Sequence, residues 1–267
     1  AANFSAALAK LEINVKLIAE ASRLGLKILR KQAEGVDISH IKINEGQPMT
    51  AILETKYNDK PVNIMISFPG SLSEFGLEKL DEKDMEAILN SDYICMFTWN
   101  VNKKGNELVT KLSKRIKENS SGKTYLDLGD PTSRGEDLKK LLKTIEKYEL
   151  IDAISLNENE LNIVSKMITK ETRINDDRII KISRELNTRL DIHTPKFSAT
   201  AEKGKITSVP CFKIKVRRTT GAGDAWNAGN ILGWGTKLTD KERLIIANGV
   251  AAKYITNKKP EHPNLKD

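Results

Sequence analysis

The sequence is poor in the residues on which several function classes depend. It has two cysteines and three histidines in 267 residues. Cys95 and Cys211 lie far apart, each in an apolar run. They read as small core residues in a reducing compartment and not as a disulfide framework. The histidines, at positions 40, 193 and 262, have no close spacing and offer no metal-binding pattern. Aromatic residues are only 5% and never interleave with a basic stripe, which argues against a surface for stacking nucleic-acid bases. No apolar run approaches the ~20 residues of a membrane span, and no signal-peptide pattern opens the chain. The expectation is a soluble, cytoplasmic protein without a nucleic-acid or membrane partner.

What is present is a globular composition: 39% hydrophobic and 30% charged, with no low-complexity tract, so the chain has the apolar material for a core. The length suits one large α/β domain or two small ones. The formal net charge is +8, but lysines and acidic residues alternate along most segments, as on a solvated surface. A mildly positive field of this kind also suits an anionic nucleotide.

Taken in order, residues 1–11 have helical spacing and propensity. Residues 13–19 read as a short strand and 24–34 as a helix ended by Gly35. Residues 49–57 and 61–68 are β-rich and joined by Asn58-Asp59-Lys60, the pattern of a hairpin. It either forms a small separate sheet or adds strands to a main one. From residue 77 helices and short apolar strands alternate: helices at 82–89, 105–119, 137–148 and 177–186, strands at 93–97, 124–128 and 153–156. That rhythm implies βαβ units and a parallel sheet, with ligands beyond the strand C-terminal ends. Trp99, Asn100, Asp127, Asp130, Asn157 and Glu160 all fall at or just after such ends. Strands at 198–201 and 208–216 surround a Glu202-Lys203-Gly204-Lys205 turn, and helices follow to residue 234 and over 240–256.

The most informative stretch is Arg218-Thr219-Thr220-Gly221-Ala222-Gly223-Asp224-Ala225-Trp226-Asn227-Ala228-Gly229. Two glycines flanking an alanine let the backbone fold tightly enough to aim successive N–H groups at one point, and an Ala-rich helix follows. Bare amides at a helix N-terminus form an anion site. A carboxylate beside it would repel a phosphate as a ligand, but as a base Asp224 would take a proton from the group that attacks one. The plain alternative is a glycine turn with Asp224 as an ordinary N-cap. A second stretch, Asn157-Glu158-Asn159-Glu160, places an asparagine and a glutamate three apart at a strand-to-helix junction. By itself it reads as a helix cap with an acidic first turn.

The run Thr-Thr-Gly-Ala-Gly-Asp-Ala-x-x-Ala-Gly resembles the C-terminal signature of the ribokinase-like (PfkB) family of carbohydrate and nucleoside kinases, of an archaeal-type or otherwise divergent kind. The resemblance extends in order through the Ala-Asn helix at the start, the hairpin, the Asn-x-x-Glu stretch and the glycine signature; only the last is strongly specific. It implies a three-layer α/β fold over residues 1–267, a single domain with a mainly parallel central sheet, helices on both faces and a small β-sheet lid within 44–70. It implies transfer of the γ-phosphate of ATP to a hydroxymethyl group of a sugar or related polyol. Asp224 would be the base, and the Gly221, Ala222 and Gly223 amides would stabilise the transferring phosphoryl group. Asn157, Glu160, Thr194, Thr220 and Asn248 would bind the nucleotide, with Glu160 organising Mg²⁺ largely through water. Asn3 and Asp224 would bind substrate, Asn3 standing otherwise as a polar residue near a helix start. Asn248 would lie against the adenine, or simply face solvent on its helix.

The sequence departs from the family in three places. A strand and a diglycine ordinarily precede the Ala-Asn helix, so the resemblance implies that an N-terminal piece is absent. Between the first strand and helix only Glu20-Ala21-Ser22-Arg23 intervenes, so either the loop is short or residues are missing. Where most members have a Thr-x-Gly-x-x-Gly turn, this chain has His193-Thr194-Pro195, leaving Thr194 as the candidate hydroxyl and His193 as a structural or nucleotide-proximal residue. Asp127 and Asp130 fall near a family Asp-x-Asn-x-Arg region with Arg134 displaced, and Asp130-Pro131 also reads as a turn. His262-Pro263 resembles a family tail and adds little chemistry. A nucleoside kinase, a non-catalytic nucleotide or sugar sensor, and a homodimer through the lid are the further readings.

Overall fold

The computed structural model describes residues 1–57, 60–170 and 174–266. The chain divides into two compact units, Ala1–Phe75 with Phe212–Leu232 and Ile246–Asp267, and Gly76–Cys211 with Gly233–Ile245. No helix among the described residues is long and apolar enough to cross a membrane.

In the first unit, α1 (Ala2–Lys10) buries Phe4, Ala7 and Leu8 on one face, the i, i+3, i+4 spacing of an amphipathic helix. A three-residue strand, β1 (Ala19–Ala21), leads into α2 (Arg23–Gln32), and the Ser22 hydroxyl caps that helix by accepting from the Gly25 amide. β2 (Ile41–Ile43) pairs in parallel with β1. Around them Leu17, Ala21, Ala33, Val36 and Ile41 form a small apolar cluster. The expected strand at 13–19 lies too early: up to Leu17 that segment meets only an isolated bridge between Lys16 and Asp37. Continuous pairing begins where β2 supplies a partner. β2 itself is too short to register as a periodic pattern.

β3 (Met49–Tyr57) and β4 (Lys60–Phe68) pair antiparallel from Met49 opposite Phe68 to Tyr57 opposite Lys60. They make a separate two-stranded sheet, so the alternative of extra strands on the main sheet does not hold. Of the expected hairpin turn, Asn58 and Asp59 lie outside the described residues.

The second unit contains the main sheet. After α3 (Glu82–Leu89), whose N-terminus is closed by a capping box between Asp81 and Asp84, come β5 (Tyr93–Met96), α4 (Gly105–Asn119), β6 (Lys123–Asp127), α5 (Gly135–Tyr148) and β7 (Ala153–Asn157). Then follow α6 (Glu158–Thr169), α7 (Asp176–Leu186), β8 (Arg189–His193), β9 (Phe197–Glu202) and β10 (Lys205–Pro210). The sheet order is β10-β9-β8-β7-β6-β5. β5 to β8 are parallel, and β9 and β10 continue antiparallel. The expected last strand, 208–216, is shorter and stops at Pro210: proline offers no N–H to a ladder. The alternating Phe212, Ile214 and Val216 beyond it are exposed, a strand-like pattern without a partner.

Strand alternation divides the sheet into two faces. Leu190 and Ile192 of β8 join Ile154, Leu156, Leu126, Ala199 and Ala201 in a core with Val109, Leu141, Ile145, Leu161, Val164, Ile179 and Ile182 from α4 to α7. Arg189 and Asp191 point the other way. There Asp191, fully buried, accepts from Arg189 Nη2 at 2.7 Å, from Arg243 Nη1 at 3.2 Å and from the Thr200 hydroxyl at 2.7 Å. Arg189 also stacks 3.6 Å from the Trp234 ring. Helices therefore cover both faces of the sheet, since Trp234 belongs to α8 (Ala222–Gly235) and Arg243 to α9 (Asp240–Thr256). Within the first unit those helices cross closely at Gly229, where a Cβ would come within 2.8 Å of the Ala247 Cα.

Two guanidiniums depend on the Asp191 carboxylate. Removing one partner of such a buried group strands uncompensated charge, so Asp191→Ala is expected to lower unfolding free energy by about 3–5 kcal/mol, read from urea denaturation midpoints.

Candidate active site

Gly221 sets the geometry of the glycine stretch. Its φ of +82° is left-handed, and a Cβ there would lie 2.7 Å from the Tyr254 hydroxyl and 2.9 Å from Asn3 Nδ2. Only glycine meets both conditions without strain. The Ala222 amide closes the turn by donating to the Thr219 carbonyl at 3.2 Å, and the Ala225 amide donates to the Gly221 carbonyl at 3.0 Å as α8 begins. Ala222 and Gly223 are the first residues of that helix, with their amides at the positive end of its dipole.

The turn already holds an anion. Glu54, from β3, accepts from the Thr219 amide at 3.2 Å, the Thr220 amide at 3.1 Å and the Thr220 hydroxyl at 2.8 Å. The Thr220 hydroxyl, then its amide, hold the Glu54 carboxyl below the usual range, with the charge of Arg218 adding to the effect. Thr220 therefore works through hydroxyl and amide together. The amides that take the carboxylate are those of Thr219 and Thr220, just before the glycines.

Asp224 lies inside the first turn of α8, not at its N-cap, and its Oδ2 accepts from Asn3 Nδ2 at 2.8 Å. Asn3 is likewise no cap: α1 has Ala1 at its N-cap and no side-chain capping bond. Instead Asn3 bridges two side chains, since its Oδ1 lies 2.9 Å from His262 Nε2. His262 stacks on Tyr254 with ring centroids 4.3 Å apart and planes at 12°. Burial pushes the His262 imidazole down to about 4, against a partial opposing pull from the Asp224 charge. Burial raises the Tyr254 phenol, with Arg218 opposing. His262, read as a tail residue, is thus packed into the side-chain network of Asn3 and Tyr254. Its signal was invisible in sequence because 259 positions separate it from Asn3.

Asn248 is buried, not solvent-facing, and its Oδ1 accepts from the Trp226 indole at 2.9 Å, tying α9 to α8 within the first unit. Arg218 Nη2 donates to the Asn257 carbonyl at 2.8 Å.

In the second unit, Asn157 and Glu160 form a full capping box at the start of α6. Asn157 Oδ1 accepts from the Asn159 and Glu160 amides, Glu160 Oε2 accepts from the Asn157 amide at 2.9 Å, and Asn157 Nδ2 donates to Glu160 Oε1 at 2.6 Å. Burial, then the charges of Asp127 and Asp130, push the Glu160 carboxyl up to about 8. Asn157 sits opposite His193 in the sheet, so the ends of β7 and β8 adjoin. Just past β8, the Thr194 hydroxyl donates to the Phe197 carbonyl and accepts from the Lys196 and Phe197 amides, organising the turn into β9.

The other strand-end residues are structural. Asp127 accepts from the Gly129 amide and Asp130 from the Thr132 amide, each closing its own turn. Arg134 donates to the Trp99 and Asn102 carbonyls and to Asp137 while lying over the Trp99 ring. Asn100 bonds through its backbone to the Leu128 carbonyl. Burial raises the Cys95 thiol to about 12 and the Cys211 thiol as well, so neither is a nucleophile near neutrality. Among the described residues no group of three or more His, Cys, Asp or Glu side chains could hold a metal ion.

A family model described as pfkB family carbohydrate kinase matches residues 1–267. No curated protein matches the chain by sequence search. Solved structures do. A 2-dehydro-3-deoxygluconokinase from Thermotoga maritima is 16% identical, with a TM-score of 0.80 over 97% of this chain and 85% of its own. A ribokinase from Arabidopsis thaliana, complexed with ribose and ATP, is 19% identical, with 0.79 over 99% and 84%. An adenosine kinase from Sinorhizobium meliloti is 18% identical, with 0.79 over 98% and 78%. The archaeal-type reading is not borne out: structures from a plant, from Thermotoga maritima and from Pyrococcus horikoshii all match the chain nearly end to end at 16–20% identity, so none singles out such a type.

With its folded value near 4 and an ordinary value of 6.5, His262 takes up its proton more readily in the unfolded chain. It therefore contributes a loss of stability as pH falls from about 6.5 to about 4. Thermal unfolding across that range should show a steeper decline for the wild type than for His262→Gln, which has no imidazole to charge.

Proposed function

The chain belongs to the pfkB family of carbohydrate kinases, and on that premise we propose that it transfers the γ-phosphate of ATP to a hydroxymethyl group of a sugar or related polyol, with Asp224 as the base. The observation that carries this reading is the pairing, within one unit, of a carboxylate fixed by Asn3 with a turn whose amides already bind a carboxylate. A turn that seats Glu54 presents the donors a phosphoryl oxygen needs.

Asp224, oriented through Oδ2, takes the hydroxyl proton as the oxygen attacks. The amides at the start of α8 and the Thr220 hydroxyl offset charge on the transferring group. Preset donors of this kind need no reorganisation during the reaction, and phosphoryl transfer depends chiefly on positioning and electrostatics. The Ala222 amide contributes less directly than its neighbours, because it already closes the turn on Thr219.

Asn157 and Glu160 fit a supporting role toward magnesium. Burial and the charges of Asp127 and Asp130 push the Glu160 carboxyl up, a penalty on its ionised form that a nearby hard cation would relieve. Both its oxygens are engaged by Asn157, which favours contact through water over direct ligation. The ion, when bound, supplies positive charge to the nucleotide oxygens. Thr194 and Asn248 act here through the β8–β9 turn and the Trp226 indole.

The lid sheet supports a homodimer. Met49, Leu53, Ile64, Ile66 and Phe68 share one face by register and are 65%, 60%, 47%, 72% and 62% exposed. Glu54, on the opposite face, reaches the glycine turn. A bare apolar face of this kind is an association surface. Ile66→Lys is expected to convert a dimer to a monomer in light-scattering chromatography.

Turnover is tested with ATP and Mg²⁺ against ribose, adenosine and 2-dehydro-3-deoxygluconate. ADP release dependent on a sugar supports the principal reading, and release with adenosine alone selects a nucleoside kinase. Nucleotide binding without turnover on a wider polyol panel selects the sensor. Asp224→Asn should lower turnover by roughly two or more orders of magnitude while nucleotide binding persists. Near-normal turnover in that variant removes the assignment of base.

A further inference from the structure

We infer that Asn3 and His262 are positioning residues for Asp224, forming a directed chain in which the His262 imidazole orients the Asn3 amide and the Asn3 amide orients the carboxylate. This rests on the reading of Asp224 as the base.

The direction follows from which atoms can donate. A carboxylate only accepts, so the Asn3 amide must turn its NH₂ toward Asp224, where Nδ2 lies 2.8 Å from Oδ2. Its oxygen then faces His262, and a carbonyl oxygen cannot donate. Nε2 of His262, 2.9 Å away, must carry the hydrogen. The ring is thereby fixed as the Nε2–H tautomer, and Nδ1 is buried with no hydrogen-bond partner among the described residues. Charging the ring would place an N–H at that buried position without an acceptor, so the neutral form is enforced from both sides.

Two contacts hold the chain in place. Tyr254 stacks on the imidazole and limits its rotation. The same tyrosine hydroxyl and Asn3 Nδ2 lie so close to Gly221 that no side chain fits there. The groups that orient Asp224 thus pack directly against the turn that begins its helix. Asn3 donates to one oxygen of Asp224, which restricts the carboxylate's rotation and leaves Oδ1 as the oxygen for the substrate proton. The titratable and charged groups facing this cluster are Asp224, Arg218, Glu54 and Tyr254.

Three variants and two readouts test the chain. His262→Leu keeps bulk and removes the donor, and it should lower kcat about tenfold, the effect of one lost hydrogen bond, with KM for ATP nearly unchanged. His262→Gln offers an N–H in its place and should recover most of that loss. Asn3→Asp sets a second carboxylate against Asp224 and should move the acid limb of the kcat profile to higher pH. Independently of turnover, the ¹⁵N spectrum of the full chain should show His262 as the neutral Nε2–H tautomer at pH 7. The ¹³C carboxyl resonance of Asp224 at pH 7 should move in His262→Leu and in Asn3→Asp. Equal kcat in His262→Leu and His262→Gln, an Nδ1–H tautomer, or an unmoved Asp224 carboxyl resonance overturns the chain. If Asp224→Asn is inactive while His262→Leu turns over normally, the chain alone is wrong. If Asp224→Asn remains active, the base fails and the chain's catalytic purpose with it.

Discussion

Everything around the glycine turn depends on the space above Gly221. Its left-handed backbone and missing side chain allow the Tyr254 hydroxyl and the Asn3 amide to approach within contact distance. A methyl group there would push both away. The carbonyl of the same residue accepts from the Ala225 amide as α8 begins and so sets where the helix starts, and with it the position of Asp224 in the first turn. Backbone conformation, helix start and carboxylate orientation are therefore one constraint.

Glu54 gives that turn a second property. An exposed carboxylate on β3 accepts three hydrogen bonds from Thr219 and Thr220, so these donors are already arranged around a charged group. Any other anion reaching the same amides would have to displace Glu54, so the β3 contact and a second anion exclude each other at those atoms. The sheet that carries Glu54 is otherwise held by its own pairing, with its apolar face uncovered in the single chain.

The second unit solves a different problem. Its core comes from the apolar sides of β6 to β9 and the helices α4 to α7. The opposite side of β8 is charged, with Asp191 neutralising parts of two guanidiniums in a buried network. At the strand ends, the capping box of Asn157 and Glu160 satisfies the first amides of α6 and also gathers acidic charge beside Asp127 and Asp130. The cap thus also carries a carboxyl that its surroundings push up to about 8. The plain and functional readings of that pair are compatible.

Local patterns in the chain determined a great deal. The bounds 82–89, 105–119 and 240–256 are those of α3, α4 and α9, because amphipathic spacing and capping residues act within a few turns of backbone. The strand–helix rhythm led to the parallel sheet, and the Gly-Ala-Gly run led to a tight turn opening a helix, with Gly221 at positive φ. Short pairings such as β1 with β2 were not legible, since three residues have no period and each depends on a distant partner. Nor were the partners of Asp224. Asn3 looked like a cap or a ligand group, Asn248 like a surface residue, and His262 like an idle tail. Only folding brings residues 3, 54, 224, 254 and 262 together, because hydrogen bonds between side chains more than a hundred positions apart leave no trace in local spacing.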